Sequence, residues 1–459
     1  MRTSTLPLLE CPFCGGGLSI ALRHPAAGDD VESGILRCAC GEIPVVGGIP
    51  IFRREGRVDV MQQTRDVSMS VGPTVRRLLD LVRADRGDEA LRLLLVPPGD
   101  FLRRALLAVD LLPAGLQRRT RSLVEAAWER RSRRRSRLFL SNSPDVKARQ
   151  VLAELCRSLN RPEHFNHFFH RFSQPRHLTS LSLAMLLTEG RGAGLDLACG
   201  FGHTLHTLTA ASPSRPWIGL DRNFFELFVA RRWVAPGADY LCADADGPLP
   251  LARGVIGGAL CADAFHYFLR KRLCVEELLR VVSLDGPILL ARVGNRLVEP
   301  REGYELDPGE YRALFAGIRT RMLGDGQLLE RYLARLGPAL AADRSASELA
   351  GEKWLSLVAD RSGAVFEEHG ALLAWPHGLG RLRVNPLYVR EAGSSDGRWT
   401  LRMPSKWFEF ENGACRAYMP EGVALDDRVL GDLELGFRSP AIEELVRRCV
   451  VLGLPERYV

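Results

Sequence analysis

The 459-residue chain has no apolar run that approaches the roughly 20 residues needed to cross a bilayer as a helix. Its start, Met1-Arg2-Thr3-Ser4-Thr5-Leu6-Pro7, lacks the apolar core of a signal peptide. Internal repeats and long low-complexity linkers are also missing. With no secretory signal, the eleven cysteines are expected to stay reduced, as metal ligands or buried thiols rather than disulfides. These absences predict a cytoplasmic protein without a membrane span. The net charge of +7 is modest and does not by itself imply nucleic acid. What is present is ordinary for a globular protein, with 46% hydrophobic and 25% charged residues. The length suffices for roughly two to four domains.

One stretch organises the rest. Gly194-Leu195-Asp196-Leu197-Ala198-Cys199-Gly200-Phe201-Gly202-His203 reads as a buried strand, a glycine-rich turn and a helix at Thr204–Ala211. Gly200 and Gly202 would let backbone approach a ligand where a side chain would block it. Trp217-Ile218-Gly219-Leu220-Asp221 is a second strand ending in an acid, about 20 residues on, where a ribose diol would be gripped. Further strands are expected at Tyr240–Ala245, Val255–Cys261 and Pro287–Val293, with a helix over Val275–Val282. Strands alternating with helices at these spacings predict an α/β fold with a doubly wound parallel sheet.

Residues from about 165 to 295 resemble the core of the class I S-adenosylmethionine-dependent methyltransferases. Asp196-Leu197-Ala198-Cys199-Gly200-Phe201-Gly202 is similar to that family's first motif, with Ala198 where glycine is commoner. The resemblance implies a Rossmann-like methyltransferase sheet and a cofactor site at Asp196, Ala198, Cys199, Gly200, Phe201 and Gly202. It implies ribose binding by Asp221 beside Arg222, adenine binding by Asp244 beside Ala245, and a further contact at Cys261. Gly257 departs from the family, which usually has Asp in this strand.

Cys11-Pro12-Phe13-Cys14-Gly15 and Cys38-Ala39-Cys40-Gly41 supply two thiolate pairs. Cys11, Cys14, Cys38 and Cys40 would satisfy a closed, structural zinc site. A small domain has little core, so a metal staple is expected on stability grounds. The pattern resembles the zinc ribbon of small tRNA-methyltransferase activators.

Five segments are therefore expected. Residues 1–56 form the ribbon. Residues 57–160 are helical and include the basic run of 118–137, with few aromatics to stack on bases. Residues 161–300 are the methyltransferase core. Its aromatic and histidine-rich Phe165–Phe172 would sit over the cofactor and meet the methionine carboxylate. Residues 301–362 read as a helical insertion, a candidate lid. Residues 363–459 hold the closing strands, at Val365–Trp375 and Leu382–Arg390, and a C-terminal extension with Ser439-Pro440 starting a final helix.

Asp263, His266 and Tyr267 follow the fourth strand, on the side where the methyl should point. His266 is the candidate general base, because its ordinary pKa lies near neutrality. The reading favoured is methyl transfer to a small-molecule or lipid-like acceptor. An RNA or protein methyltransferase using the ribbon and the arginine run is the alternative. A non-catalytic cofactor-binding interaction module is the third reading.

Overall fold

The computed structural model describes residues 1–25, 28, 30–56, 58, 72–95, 100–141, 143–158, 162–300, 303–391 and 397–459. The strands are, in chain order, β1 Ser19–Arg23, β2 Gly34–Cys38, β3 Gly41–Val46, β4 Ile49–Pro50, β5 Ala193–Leu197, β6 Trp217–Asp221, β7 Asp239–Cys242, β8 Ile256–Ala262, β9 Ile288–Gly294, β10 Arg319–Gly324 and β11 Trp354–Asp360. Beyond them lie β12 Arg381–Val384, β13 Tyr388–Arg390, β14 Arg398–Leu401, β15 Gly422–Ala424 and β16 Val451–Leu454.

The central sheet has seven strands in the order β10-β11-β9-β8-β5-β6-β7. From β9 to β7 all pairings are parallel. Every residue of β5, β6, β7 and β9 is buried, as expected of strands covered on both faces. The order reverses between β5 and β8, so a crevice opens at the carboxyl ends of these two strands.

Gly257 has a steric reason. A Cβ there would lie 1.5 Å from the Arg191 carbonyl oxygen, so no side chain fits.

The ribbon segment is part of the same body. Its strands β1 to β4 form an antiparallel sheet. Beyond β4, Ile51 bridges to Cys242 in parallel, and the Phe52 N–H donates to the Cys242 carbonyl at 2.8 Å. The segment thereby extends the β7 edge, and Leu36, Ile43 and Val45 join the core beneath β5 and β6.

The closing strands lie elsewhere than expected. The antiparallel pair that completes the sheet is β10 and β11, both within 301–362. Leu355, Leu357, Val358 and Ala359 make β11 a buried apolar run, while Arg319 and Arg321 mark β10 as a charged edge. That segment also holds helices Pro308–Ala313, Asp325–Leu333 and Ala346–Leu349. The Val365–Trp375 stretch forms no strand, and β12 pairs with β16 instead of the central sheet. Ser439 does cap helix Pro440–Arg447, accepting from the Ile442 N–H at 3.2 Å.

Between residues 57 and 160 the helices are Val75–Arg83, Gly87–Leu95, Asp100–Asp110, Ala114–Leu140 and Ala148–Ser158. The basic run lies on Ala114–Leu140, and the side chains of Arg131 to Ser136 are outside the described residues. Among the described helices, none is long and apolar enough to cross a membrane.

Candidate active site

The turn after β5 is built on positive φ angles at Ala198 (58°), Gly200 (51°) and Gly202 (75°). Alanine in the left-handed region costs about 1–2 kcal/mol, so the surroundings must hold it there. The Cys199 N–H donates to the Leu220 carbonyl at 3.2 Å, and the Gly200 N–H donates to Asp221 Oδ2 at 3.1 Å. Gly202 is required by packing, since a Cβ there would come within 2.9 Å of the Ala230 Cβ. Phe201 is buried against Phe168, with ring centroids 4.8 Å apart.

Above this turn lies a cavity of about 150 Å³. Its floor is Asp196, Ala198, Cys199, Gly200 and Phe201. One side is Glu226, from helix Phe224–Val229, and the other is Ala262 at the end of β8 with Asp263 and Ala264 after it. The roof is His167, Phe168 and Arg171, in and after helix Pro162–Phe169. Helix Lys406–Asn412 backs that roof. Glu411 Oε2 lies 3.6 Å from His167 Nδ1 and 3.2 Å from Arg176 Nη2. Tyr458 fixes it further, its hydroxyl donating to the Phe168 and Phe169 carbonyls at 3.2 Å.

Three acids crowd the β5–β6 side. Burial, and then the neighbouring Asp221 charge, push Asp196 up to about 8. Burial raises Asp221 as well, against the N–H groups of Asn223 and Gly200 that it accepts. Glu226 is driven well above the usual carboxyl range by burial and by Asp221.

Asp263 behaves oppositely. Burial alone would raise it, but Arg292, Arg171 and Arg176 outweigh that and hold it well below the usual range. Oδ1 lies 2.6 Å from Arg292 Nη1, and Oδ2 lies 2.9 Å from Arg171 Nη2 and 3.6 Å from Arg176 Nη1. Arg292 sits over the Trp354 ring, 3.8 Å from its centroid, and reaches Asp325 Oδ2 at 3.3 Å.

Of the residues singled out in the sequence, Asp196, Ala198, Cys199, Gly200, Phe201 and Asp263 line the cavity. Asp221 and Gly202 stand directly behind them. Arg222, Asp244, Ala245 and Cys261 are not among its walls. Asp244 is exposed, and its Oδ1 accepts from the Asp246 N–H at 3.0 Å. His266 does not reach the cavity. It is 2% exposed, packs between Tyr267 and Trp354, and burial lowers it to about 4. The short helical turn Phe265–Tyr267 directs it away, and Tyr267 is 47% exposed. Sequence reasoning missed Glu226, Arg292 and Glu411. A lone arginine inside the apolar fifth strand was a usable signal for Arg292. Glu411 comes from 240 residues downstream of Arg171 and left no local trace.

A second constellation is in the ribbon. The Sγ atoms of Cys11, Cys14, Cys38 and Cys40 all lie within 4.8 Å of one another. Cys11 to Cys40 is 3.6 Å and Cys38 to Cys40 is 3.4 Å. A tetrahedral zinc with bonds of about 2.3 Å needs sulfurs about 3.8 Å apart, so the set is sized for that ion.

A parallel sheet with a glycine turn, a buried acid at each of two strand ends and a cavity at the order reversal defines a cofactor-binding α/β domain. The family model described as "Methyltransferase domain" matches residues 195–290, which contain the turn, β6 to β8 and most of the cavity floor. The chain thus carries a methyltransferase domain over these residues. Among solved structures, the chain is similar to the YcgJ protein of Bacillus subtilis. The identity is 20% over 40% of this chain and 98% of that one, with a TM-score of 0.29. A complex of the Haloferax volcanii Trm112 methyltransferase activator with a methyltransferase gives 19% identity, 40% and 90% coverage and a TM-score of 0.30. The plantazolicin methyltransferase BpumL with S-adenosylhomocysteine gives 16%, 46% and 95%, and 0.33. No curated protein matches the chain.

Proposed function

We propose that the chain methylates a small-molecule or lipid-like acceptor in the cytoplasm, with a structural zinc in its N-terminal ribbon. The observation that supports this reading is the enclosure of the site. The roof of Phe168, His167 and Arg171 is backed by helix Lys406–Asn412 and pinned by Tyr458, which favours a compact acceptor over a polymer. The space is smaller than the roughly 300–1,000 Å³ of a typical ligand pocket, so the roof must shift to admit both reactants.

The residues present fit the cofactor. A Cβ at Gly200 would meet Glu226 Oε2 at 3.1 Å, filling the cradle that glycine leaves open. In this reading Asp196 and the Ala198–Gly202 turn hold the methionine and ribose parts, and Arg171 meets the methionine carboxylate. Asp221 fixes the turn, and Asp244 and Ala245 flank the adenine. When bound, S-adenosylmethionine supplies a methyl group already activated on a sulfonium. Positioning by the chain can then contribute about 7–11 kcal/mol. Asp263, held ionised by three arginines, is too weak a base to deprotonate a hydroxyl. Three imidazoles line the cavity, His167, His177 and His203, all lowered by burial, and of these His167 faces Glu411. Burial holds His167 at about 4, so it serves as the group that accepts an acceptor proton only with the Glu411 carboxylate stabilising its charged form.

The test is to incubate the purified chain with methyl-labelled S-adenosylmethionine and fractionated cell extract. Label is expected in the small-molecule or lipid fraction. Label confined to RNA or protein would overturn the proposal.

A further inference from the structure

Arg215, just before β6, is a buried cation without a counter-ion. It is 8% exposed, and its guanidinium carbon lies 5.0 Å from the centroid of the Trp217 ring. Nη1 donates to the Leu187 carbonyl. Nε and Nη2 are buried and have no hydrogen-bond partner among the described residues, and no described carboxylate pairs with the side chain. Burial lowers its pKa, and no acid opposes that shift. Nε–H and Nη2–H form one edge of the planar guanidinium, the fork that takes two oxygens of a carboxylate or phosphate side by side. An interior fork left empty costs stability until an anion fills it.

The side chain lines a cavity of about 570 Å³, a size that suits a ligand pocket. The cavity lies at the amino ends of β5 and β6, the end of the sheet opposite the glycine turn. The ribbon closes it with the short helical turn Thr3–Leu8. Gly190, in the wall, leaves room beside the guanidinium, since a Cβ there would come within 2.6 Å of Nη1 and 3.1 Å of Nη2. The hydroxyls of Ser4 and Ser214 and the side chain of Arg2 stand in the same wall. The acid in the wall, Asp239, is engaged elsewhere. Its Oδ1 accepts from the Arg2 N–H at 3.1 Å, and its Oδ2 accepts from Thr5 Oγ1 at 2.6 Å with Arg2 Nη1 3.7 Å away. We propose that this cavity binds a small oxyanion, a phosphate or carboxylate group, on the Nε–Nη2 edge of Arg215. The bound group neutralises the buried guanidinium and ties Arg2 and Ser4 of the ribbon to the central sheet. The site is independent of the cofactor reading above.

Calorimetry on the full chain tests this, with phosphate, acetate and chloride titrated at constant ionic strength and S-adenosylhomocysteine present in excess. Wild type is expected to bind phosphate or acetate saturably and at least about tenfold more tightly than chloride. The tighter of the two identifies the group as phosphate or carboxylate. Arg215→Lys keeps the charge but loses the fork, and should weaken that binding by about tenfold or more. Ser214 is exposed, so Ser214→Asp adds a repelling charge to the same wall without entering the core, and should weaken it similarly. Wild type that binds neither oxyanion better than chloride overturns the proposal. So does oxyanion binding that survives Arg215→Lys, or that survives Ser214→Asp where the lysine variant fails to fold.

Discussion

Asp263 and Arg292 face each other across the ends of β8 and β9, with Oδ1 2.6 Å from Nη1. Both residues have positive φ, 56° and 58°, so the backbone at each strand is bent to bring them together. The pair carries one wall of the cavity. Arg171 and Arg176 from the roof segment converge on the same carboxylate.

Removing that carboxylate takes a partner from all three arginines; Arg176 keeps Glu411 and Arg292 keeps Asp325. Asp263→Asn is expected to cost about 3–5 kcal/mol at pH 7. Because the folded carboxyl lies below its ordinary value, its stabilisation is fully present above about pH 4. It is lost only as the pH falls further, through the depressed value. Guanidinium unfolding of both proteins should therefore show a constant deficit from pH 8 to about pH 4. A deficit that already shrinks by pH 6 would mean that the charge is not its cause.

Asp196 should show the reverse trend. Its folded value is raised to about 8, so the cofactor-free protein pays for keeping it protonated once the unfolded chain ionises. The penalty grows as the pH rises from about 4 and levels off above about 8. Asp196→Asn is expected to melt higher than wild type at pH 8, with the gain fading toward pH 4. The same variant should bind S-adenosylhomocysteine about tenfold more weakly. A lower melting temperature at pH 8 would count against the proposed burial cost.

The ribbon is expected to hold about one zinc per chain, and Cys38→Ser should lose it. Since Ile51 and Phe52 pair with Cys242, chelation should loosen more than the ribbon. Hydrogen exchange ought to rise at both Val45–Phe52 and β7. Metal analysis that finds no zinc, in a protein whose ribbon amides stay protected, would sink this.

The two histidines should separate by phenotype. His167→Ala is expected to lower turnover by about 10²–10⁴ with cofactor affinity nearly unchanged, provided the acceptor must lose a proton. His266→Ala removes a ring packed on Trp354, so it should lower the melting temperature while turnover falls less than tenfold. A large turnover loss for His266→Ala at unchanged stability would restore it as the base.

The parallel sheet, the glycine turn and the thiolate set were legible in the residues alone. Each is local. A strand needs a run of apolar residues, a turn needs glycine where φ is positive, and a knuckle needs closely spaced cysteines. β6 was legible to the residue, from Trp217 to Asp221. The tertiary structure decided which strands close the sheet. Leu355–Ala359 and Leu382–Val384 both read as short strands, and the structure pairs the first with β9 and the second with β16. It also decided which acids and bases meet. Asp263 gathers arginines from positions 171, 176 and 292, while His266, three residues further on, is turned into the core. No spacing rule reaches across such separations, because the cavity is made where distant segments pack, and burial there sets which groups stay charged.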